Sequence, residues 1–127
     1  MNPRVFHLAL FGFTETERRV MTSVLRLAAA RGREYTLADE NSRAKADIAI
    51  IDADDPEAVR QWQQNLRNGE PVPALRVMAD PSKASADQVA ISRPITVKRL
   101  LEGLDNAAIR NYRYVHDLSI RDDGDAE

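Results

Sequence analysis

The sequence contains no cysteine and only two histidines, His7 and His116, in 127 residues. Without thiols the chain has no disulfide, no cysteine nucleophile and no thiolate metal site. The two histidines are far apart in the sequence, which argues against a zinc site. We therefore expect no bound metal and no other cofactor.

The sequence also lacks a strong charge of either sign and a long apolar run. The formal net charge is −2 and the isoelectric point is near 5.7. The basic residues are scattered rather than clustered, so we expect no nucleic-acid partner. The apolar run Val5–Phe13 is too short to cross a bilayer, and no small-residue cleavage site follows it. We expect no signal peptide and no membrane segment, and the composition suits the cytoplasm.

Glycine is scarce, with five residues in the chain. A loop that cradles phosphates needs several glycines after the first strand, and Gly12 is the only one there. The sequence therefore predicts no phosphate-cradling loop.

The apolar residues that are present predict strands and helices that alternate along the chain. Uninterrupted apolar or β-branched runs predict five strands, at Val5–Phe11, Glu34–Ala38, Ile48–Ile51, Val72–Ala79 and Val89–Ile91. Apolar stripes at helical spacing predict three helices. The first begins at Thr14, which forms a capping box with Glu17; the second runs from Pro56, capped by Asp55, to Asn68–Gly69; the third runs from Thr96 to about Tyr112.

This alternation predicts an α/β fold with a five-stranded parallel sheet and helices on both faces. About eight residues join the second and third strands and about nine join the fourth and fifth, so the helices there are short or missing. We expect one domain over residues 1–116. Residues 117–127 end in the acidic sequence RDDGDAE, which predicts a flexible tail or linker.

Two stretches carry a resemblance to a known family. The sequence IIDADDP places Asp52 at the end of a buried strand, and ISRPITVKRLLEGL places Arg93-Pro94 before the last helix. Both resemble the receiver domain of two-component response regulators. The resemblance implies a flavodoxin-like fold, Asp52 in the place of the phosphoacceptor, and Arg93 and Pro94 in the place of the family's lysine and proline, with a cis peptide bond before Pro94.

Three other positions depart from the receiver pattern. Gly12 and Phe13 stand where the family has the acidic pair that holds magnesium, and Met78 stands where it has a serine or threonine. A hard dication needs several carboxylate oxygens, and a thioether donates no hydrogen bond. Arg93 keeps the positive charge of the family lysine but is a planar fork instead of a compact ammonium group.

Asp52 therefore has two interpretations. It is either a phosphoacceptor or cation ligand, or a strand-end acid that is solvated or paired with Arg93. Because a lone carboxylate has no evident means of stabilising a transferred phosphoryl group, the pattern favours the ion pair. Asp54 can supplement a metal site, whereas Asp55 is better explained as a helix cap.

We interpret the chain as a pseudo-receiver: a signalling module that is not an enzyme and acts through protein contacts, with a fused or separate output domain as its partner. We expect a homodimer through the last helix, with Leu104 and Val115 near the contact and Tyr112 at its centre. The alternative for this stripe is that it folds back on its own domain. Two other functions stay open: a working phosphoreceiver in a phosphorelay, using Asp52, and a small-ligand or nucleotide sensor around Gly12, Asp52 and Arg93.

Overall fold

The computed structural model describes residues 5–30, 35–37, 45–67, 69–86 and 88–112. Seven strands lie in this part of the chain: β1 (Phe6–Phe11), β2 (Tyr35–Leu37), β3 (Ile48–Asp52), β4 (Leu66–Arg67), β5 (Glu70–Pro71), β6 (Ala74–Met78) and β7 (Val89–Ser92). The α-helices there are α1 (Glu15–Ala30), α2 (Pro56–Gln64) and α3 (Val97–Tyr112), and Pro81–Lys83 forms one 3₁₀ turn.

Five of these strands form one parallel sheet in the order β2-β1-β3-β6-β7. Numbered by themselves along the chain, they have the order 2-1-3-4-5, which is that of the flavodoxin-like fold. The predicted fold class is therefore confirmed. The strand order reverses between β1 and β3, which are parallel neighbours, and the carboxyl ends of the five strands lie at one edge of the sheet.

Each face of the sheet has its own apolar cluster, because successive side chains of a strand point to opposite faces. Helices α1 and α3 cover one face, where Leu8, Ile50 and Leu75 are fully buried. Helix α2 covers the other face. There Phe11 and Ile51 of the sheet and Ala58 of α2 are buried. Helices thus lie on both faces, as the apolar runs predict.

The helix starts follow the capping signals in the sequence. Thr14 Oγ1 accepts a hydrogen bond from the Glu17 N–H (3.1 Å), and Glu17 accepts one from the Thr14 N–H (3.2 Å), which completes the predicted capping box. Asp55 accepts a hydrogen bond from the Glu57 N–H at the start of α2 (3.0 Å), and Pro56 is the first helical residue. Both predicted caps are confirmed.

The connections between the main elements are short. The 3₁₀ turn Pro81–Lys83 takes the place of a helix between β6 and β7. The other short connection, between β2 and β3, falls mostly outside the described residues. The prediction that α2 reaches Asn68–Gly69 is wrong: α2 ends at Gln64, and a two-stranded hairpin, β4–β5, turns at Gly69 with a positive φ of 84°. Leu66 lies on this hairpin and is exposed.

The last turn of α3 packs against its own domain. The Tyr112 ring lies 5.5 Å from the Phe6 ring, and its hydroxyl donates a hydrogen bond to the Asp47 carbonyl (2.6 Å). Leu104 is fully buried under the sheet. The Leu104 side chain is therefore not available to a dimer contact, and Tyr112 packs on its own domain, as in the alternative that the stripe folds back; the predicted homodimer stays a prediction. Val115 and the predicted tail, 117–127, lie outside the described residues.

Tyr112→Phe tests this docking. The variant keeps the ring against Phe6 and removes only the hydroxyl that bonds to the Asp47 carbonyl. We expect the free energy of unfolding to fall by about 1 kcal/mol, measured by urea denaturation. An unchanged urea midpoint would mean that the hydroxyl bond to Asp47, just before β3, does not help to hold α3 on the sheet.

Candidate functional site

The candidate site lies at the carboxyl edge of the sheet, where β1, β3, β6 and β7 end. Asp52 is the last residue of β3, and Arg93 follows the last residue of β7. The register pairs Asp52 with Val77 on β6, and the Arg93 N–H bonds to the Met78 carbonyl (3.1 Å). This pairing places the Arg93 side chain in front of the end of β3.

Three carboxylates surround the Arg93 guanidinium, and each binds a different nitrogen. Asp52 Oδ1 lies 2.8 Å from Nη2, Asp54 Oδ2 lies 2.8 Å from Nη1, and Glu17 Oε2 lies 3.0 Å from Nε. The planar fork of arginine suits this arrangement because its donors point outward in different directions. The ion pair between Asp52 and Arg93 that the sequence favours is therefore present, with two further acids added to it.

The site is partly buried, which strengthens these contacts. The Asp52 side chain is 15% exposed and that of Arg93 is 26% exposed. Burial alone would lower the pKa of Arg93, but the hydrogen bonds and charges of Asp52 and Glu17 raise it above its usual value. Burial alone would raise the pKa of Glu17, but hydrogen bonds from Arg93 and Thr14 and the charge of Arg93 lower it overall. Both groups are therefore held in their charged forms.

Asp54 joins two loops to this cluster. Its Oδ2 accepts a hydrogen bond from the Ala79 N–H (2.8 Å) as well as from Arg93, and its own N–H donates to Asp52 Oδ1 (3.2 Å). Asp54, in the loop after β3, thus binds both the loop after β6, through Ala79, and the loop between β7 and α3, through Arg93. We call Glu17, Asp52, Asp54 and Arg93 the arginine cluster.

The loop after β1 explains why Gly12 occupies its position. Gly12 has a φ of +86°, and a Cβ atom there would lie 2.8 Å from the Ala58 Cβ and 2.9 Å from the Asp52 Cβ. These distances are far below van der Waals contact, so the position has no room for any side chain. The glycine is required by packing between β1, β3 and α2, and a carboxylate at this position would not fit.

Phe13 also has a left-handed conformation, with a φ of 77°. A positive φ is unfavourable for a bulky residue and is found where the surroundings compensate. Here the Phe13 ring packs against the apolar cluster under α1 and α3, and the Arg93 guanidinium lies 5.9 Å from its centre. Phe13 thus packs beside Arg93, at a position where the receiver pattern has an acid.

The residues of this edge do not fit a magnesium ion. Gly12 and Phe13 supply no carboxylate, and the guanidinium lies between the three acids that are present. In the described part of the chain, no three acidic or histidine side chains converge closely enough to hold a metal ion. The cation that lies beside Asp52 is therefore the Arg93 guanidinium.

The remaining predicted site residues lie close to the cluster without joining it through their side chains. Met78 follows Val77, which packs under α3, so strand alternation turns Met78 toward the other face of the sheet. The Arg93-Pro94 peptide bond is cis, as the resemblance implies. Pro94, Ile95 and Val20 line an open groove of about 410 Å³ beside α1. Glu17 and Arg93 are the charged groups of this groove, and they bind each other.

Sequence reasoning missed two members of the arginine cluster. Glu17 is fully accounted for by the capping box, and Asp54 is considered only as a metal ligand. The available signal was that a carboxylate has two oxygens: Glu17 Oε1 serves Thr14 while Oε2 serves Arg93. His7 is exposed on β1, and His116 lies outside the described residues.

Among the described residues, no helix is long and apolar enough to cross a membrane. No family model and no curated protein match the sequence. A solved structure that matches is titled as amino acids 181–211 of the yeast Spc42 trimeric coiled coil fused to another structure. It is 12% identical, with a TM-score of 0.53 over 89% of this chain and 82% of that chain. This likeness shows the fold alone and brings no function or assembly to this chain.

Proposed function

We propose that the chain is a receiver-like signalling module that acts through protein contacts and transfers no phosphoryl group. In this proposal it is a pseudo-receiver of the response-regulator type, works in the cytoplasm, and has a fused or separate output domain as its partner. Asp52 then has a structural role as one acid of the arginine cluster.

The arginine cluster is the observation that supports this proposal. Phosphoryl transfer needs a cation that bridges the donor and the acceptor, and an acceptor oxygen that is free to attack. Here Asp52 Oδ1 is bound to Arg93 Nη2 and to the Asp54 N–H, and the guanidinium occupies the place beside Asp52 where a bridging cation would have to lie. Because Arg93 also binds Glu17 and Asp54, opening the site to a phosphodonor would break three ion pairs at once.

The geometry around Gly12 supports the same conclusion from another direction. A receiver needs acidic side chains at the end of the first strand, and Gly12 has no room for even a methyl group. Packing at this position therefore leaves no place for the acid that the chemistry would require. The arginine cluster and the crowded glycine together leave no place for the acidic pair of a phosphoreceiver.

Incubation with magnesium and acetyl phosphate tests this function. We expect the intact mass of the chain to stay unchanged by mass spectrometry, because Arg93 blocks the only acid at the acceptor position. A mass increase of one phosphoryl group that disappears in Asp52→Asn would overturn the proposal and restore the working phosphoreceiver. Asp55→Asn is the control, since this neighbouring acid caps α2 and does not contact Arg93.

A further inference from the structure

The outer edge of β7 is open in the described part of the chain, where no strand pairs with its outer side. The Arg93 N–H bonds to Met78 on β6, so the backbone of residue 93 faces inward. Backbone groups of successive strand residues point to opposite sides. The N–H and C=O groups of Ala90 and Ser92 therefore point outward, away from the sheet.

The sequence of β7 carries none of the usual protection of an edge strand. Its residues are Val89, Ala90, Ile91 and Ser92, without a charge or a proline. Exposed edges are normally protected by lysine, proline, bulges or a covering helix, because open backbone groups pair with other strands. In this chain the connection from β6 to β7 is the 3₁₀ turn Pro81–Lys83. A full helix there would have covered β7 on the face of the sheet that α2 occupies.

We propose that two copies of the chain pair through β7, antiparallel and about a two-fold axis at Ile91, so that their sheets join into one. Ala90 of each copy would then exchange backbone hydrogen bonds with Ser92 of the other. An antiparallel strand pair is self-complementary, as a symmetric dimer requires. This proposal goes beyond the proposed function, whose partner is an output domain, by adding a second copy of the chain at the β7 edge.

The position of α3 fits this pairing. A Cβ at Gly103 would lie 2.8 Å from both Leu75 on β6 and Ile91 on β7, so α3 crosses over the gap between these two strands. At Gly103 the helix axis thus lies about half a strand spacing inside β7. With paired strands about 4.8 Å apart, the two α3 helices would be about 10 Å apart at this point, which is a normal helix-packing distance.

The flank of α3 beside β7 supplies side-chain surface for such a contact. Ile109 is 44% exposed. It borders a groove of about 320 Å³, which is lined by Ala86, Gln88, Val89, Ala90, Asn106, Ile109 and Arg110. Arg110 donates to the Ala86 carbonyl (3.0 Å) and Arg99 to the Pro94 carbonyl (3.0 Å). Both arginines are thus held against their own chain, and Ile109 is an exposed apolar group on this flank that a second copy can cover.

Light scattering on the full chain at high micromolar concentration tests this proposal. We expect twice the chain mass of 14.2 kDa. Ala90→Pro removes an outward N–H and leaves the bonds to β6 intact, so we expect a monomer, whereas Ala90→Ser should stay dimeric. Ile109→Glu should also give a monomer, and Leu27→Glu, an exposed site on α1, should not.

Amide hydrogen exchange gives a second measurement on the unaltered chain. The Ala90 and Ser92 amides should exchange more slowly at dimeric concentration than after dilution. A monomeric wild type, or a dimer that survives Ile109→Glu with unprotected Ala90 and Ser92 amides, would overturn the β7 pairing. If circular dichroism shows that Ala90→Pro does not fold, the mass of Ile109→Glu and the amide exchange of the unaltered chain decide whether the dimer forms through β7. A monomer leaves the phosphodonor result untouched, so the two proposals fail separately.

Discussion

Gly12→Ala is expected to lower the free energy of unfolding by about 3 kcal/mol, through two separate costs. The first is the left-handed backbone at a φ of +86°, which disfavours every residue with a Cβ. The second is the contact of the new methyl with the Cβ atoms of Ala58 and Asp52, at 2.8 and 2.9 Å. Neither neighbour can rotate away, because a Cβ is fixed to its backbone.

Gly69→Ala is the matched control for this prediction. Gly69 has a φ of +84°, but nothing lies within 4 Å of its Cβ position. The control therefore carries the backbone cost alone, about 1 kcal/mol. Urea denaturation of both variants measures the difference. If the two variants lose equal stability, the β1–α1 loop must move away easily, and the lack of room for an acid at position 12 would no longer hold.

The fold could be predicted from the sequence because each element carries a local signal. The run Ile48–Ile51 has no polar residue, which indicates a strand with both faces covered. The caps at Thr14 and Asp55 depend on residues three or fewer positions away, and both form as expected. Such short-range signals predict where helices begin, and alternation then predicts the parallel sheet.

The arginine cluster could be predicted only in part. Asp52 and Arg93 both stand at strand ends, and the ends of parallel strands meet at one edge, so their pairing follows from the sequence. Glu17 and Asp54 join through side-chain directions in two loops, which no periodicity encodes. The crowding of Gly12 likewise depends on how closely α2 approaches β1, and that distance is a property of the packed core.

The last helix shows why an apolar stripe alone does not identify an interface. Tyr112 continues the stripe of Leu104 and Ala108, and by pattern it could serve a partner or its own domain. The structure places it against Phe6 with its hydroxyl on the Asp47 carbonyl. A tyrosine suits this place because its ring is apolar and its tip can satisfy a backbone group. In the described part of the chain, β7 is one of the two edge strands of the sheet, and an open edge of this kind is recognised from backbone geometry and not from an apolar stripe.

Arg93→Ala is expected to lower the free energy of unfolding by about 2 kcal/mol at pH 7, less than for a fully buried ion pair because the cluster is partly exposed. The variant leaves Glu17, Asp52 and Asp54 side by side without their cation. It also removes the group that packs over Phe13. Arg93→Lys should lose less, since the charge remains but one ammonium cannot bind three carboxylates in different directions.

The deficit of Arg93→Ala should depend on pH, and the sign follows from Glu17. Its pKa in the folded chain lies below the usual value of 4.5, so its contribution to stability is present above that pH and is lost as the pH falls through the lowered pKa. In the variant, protonation of Glu17 instead removes its repulsion with the neighbouring carboxylates. Urea denaturation at pH 7 and near pH 3.5 should therefore show a large deficit that shrinks on acidification.

Arg60→Ala, which breaks an exposed pair with Glu57 on α2, should change the urea midpoint little. A deficit in Arg93→Ala that stays constant with pH would mean that Arg93 acts through packing on Phe13, with the carboxylates contributing little.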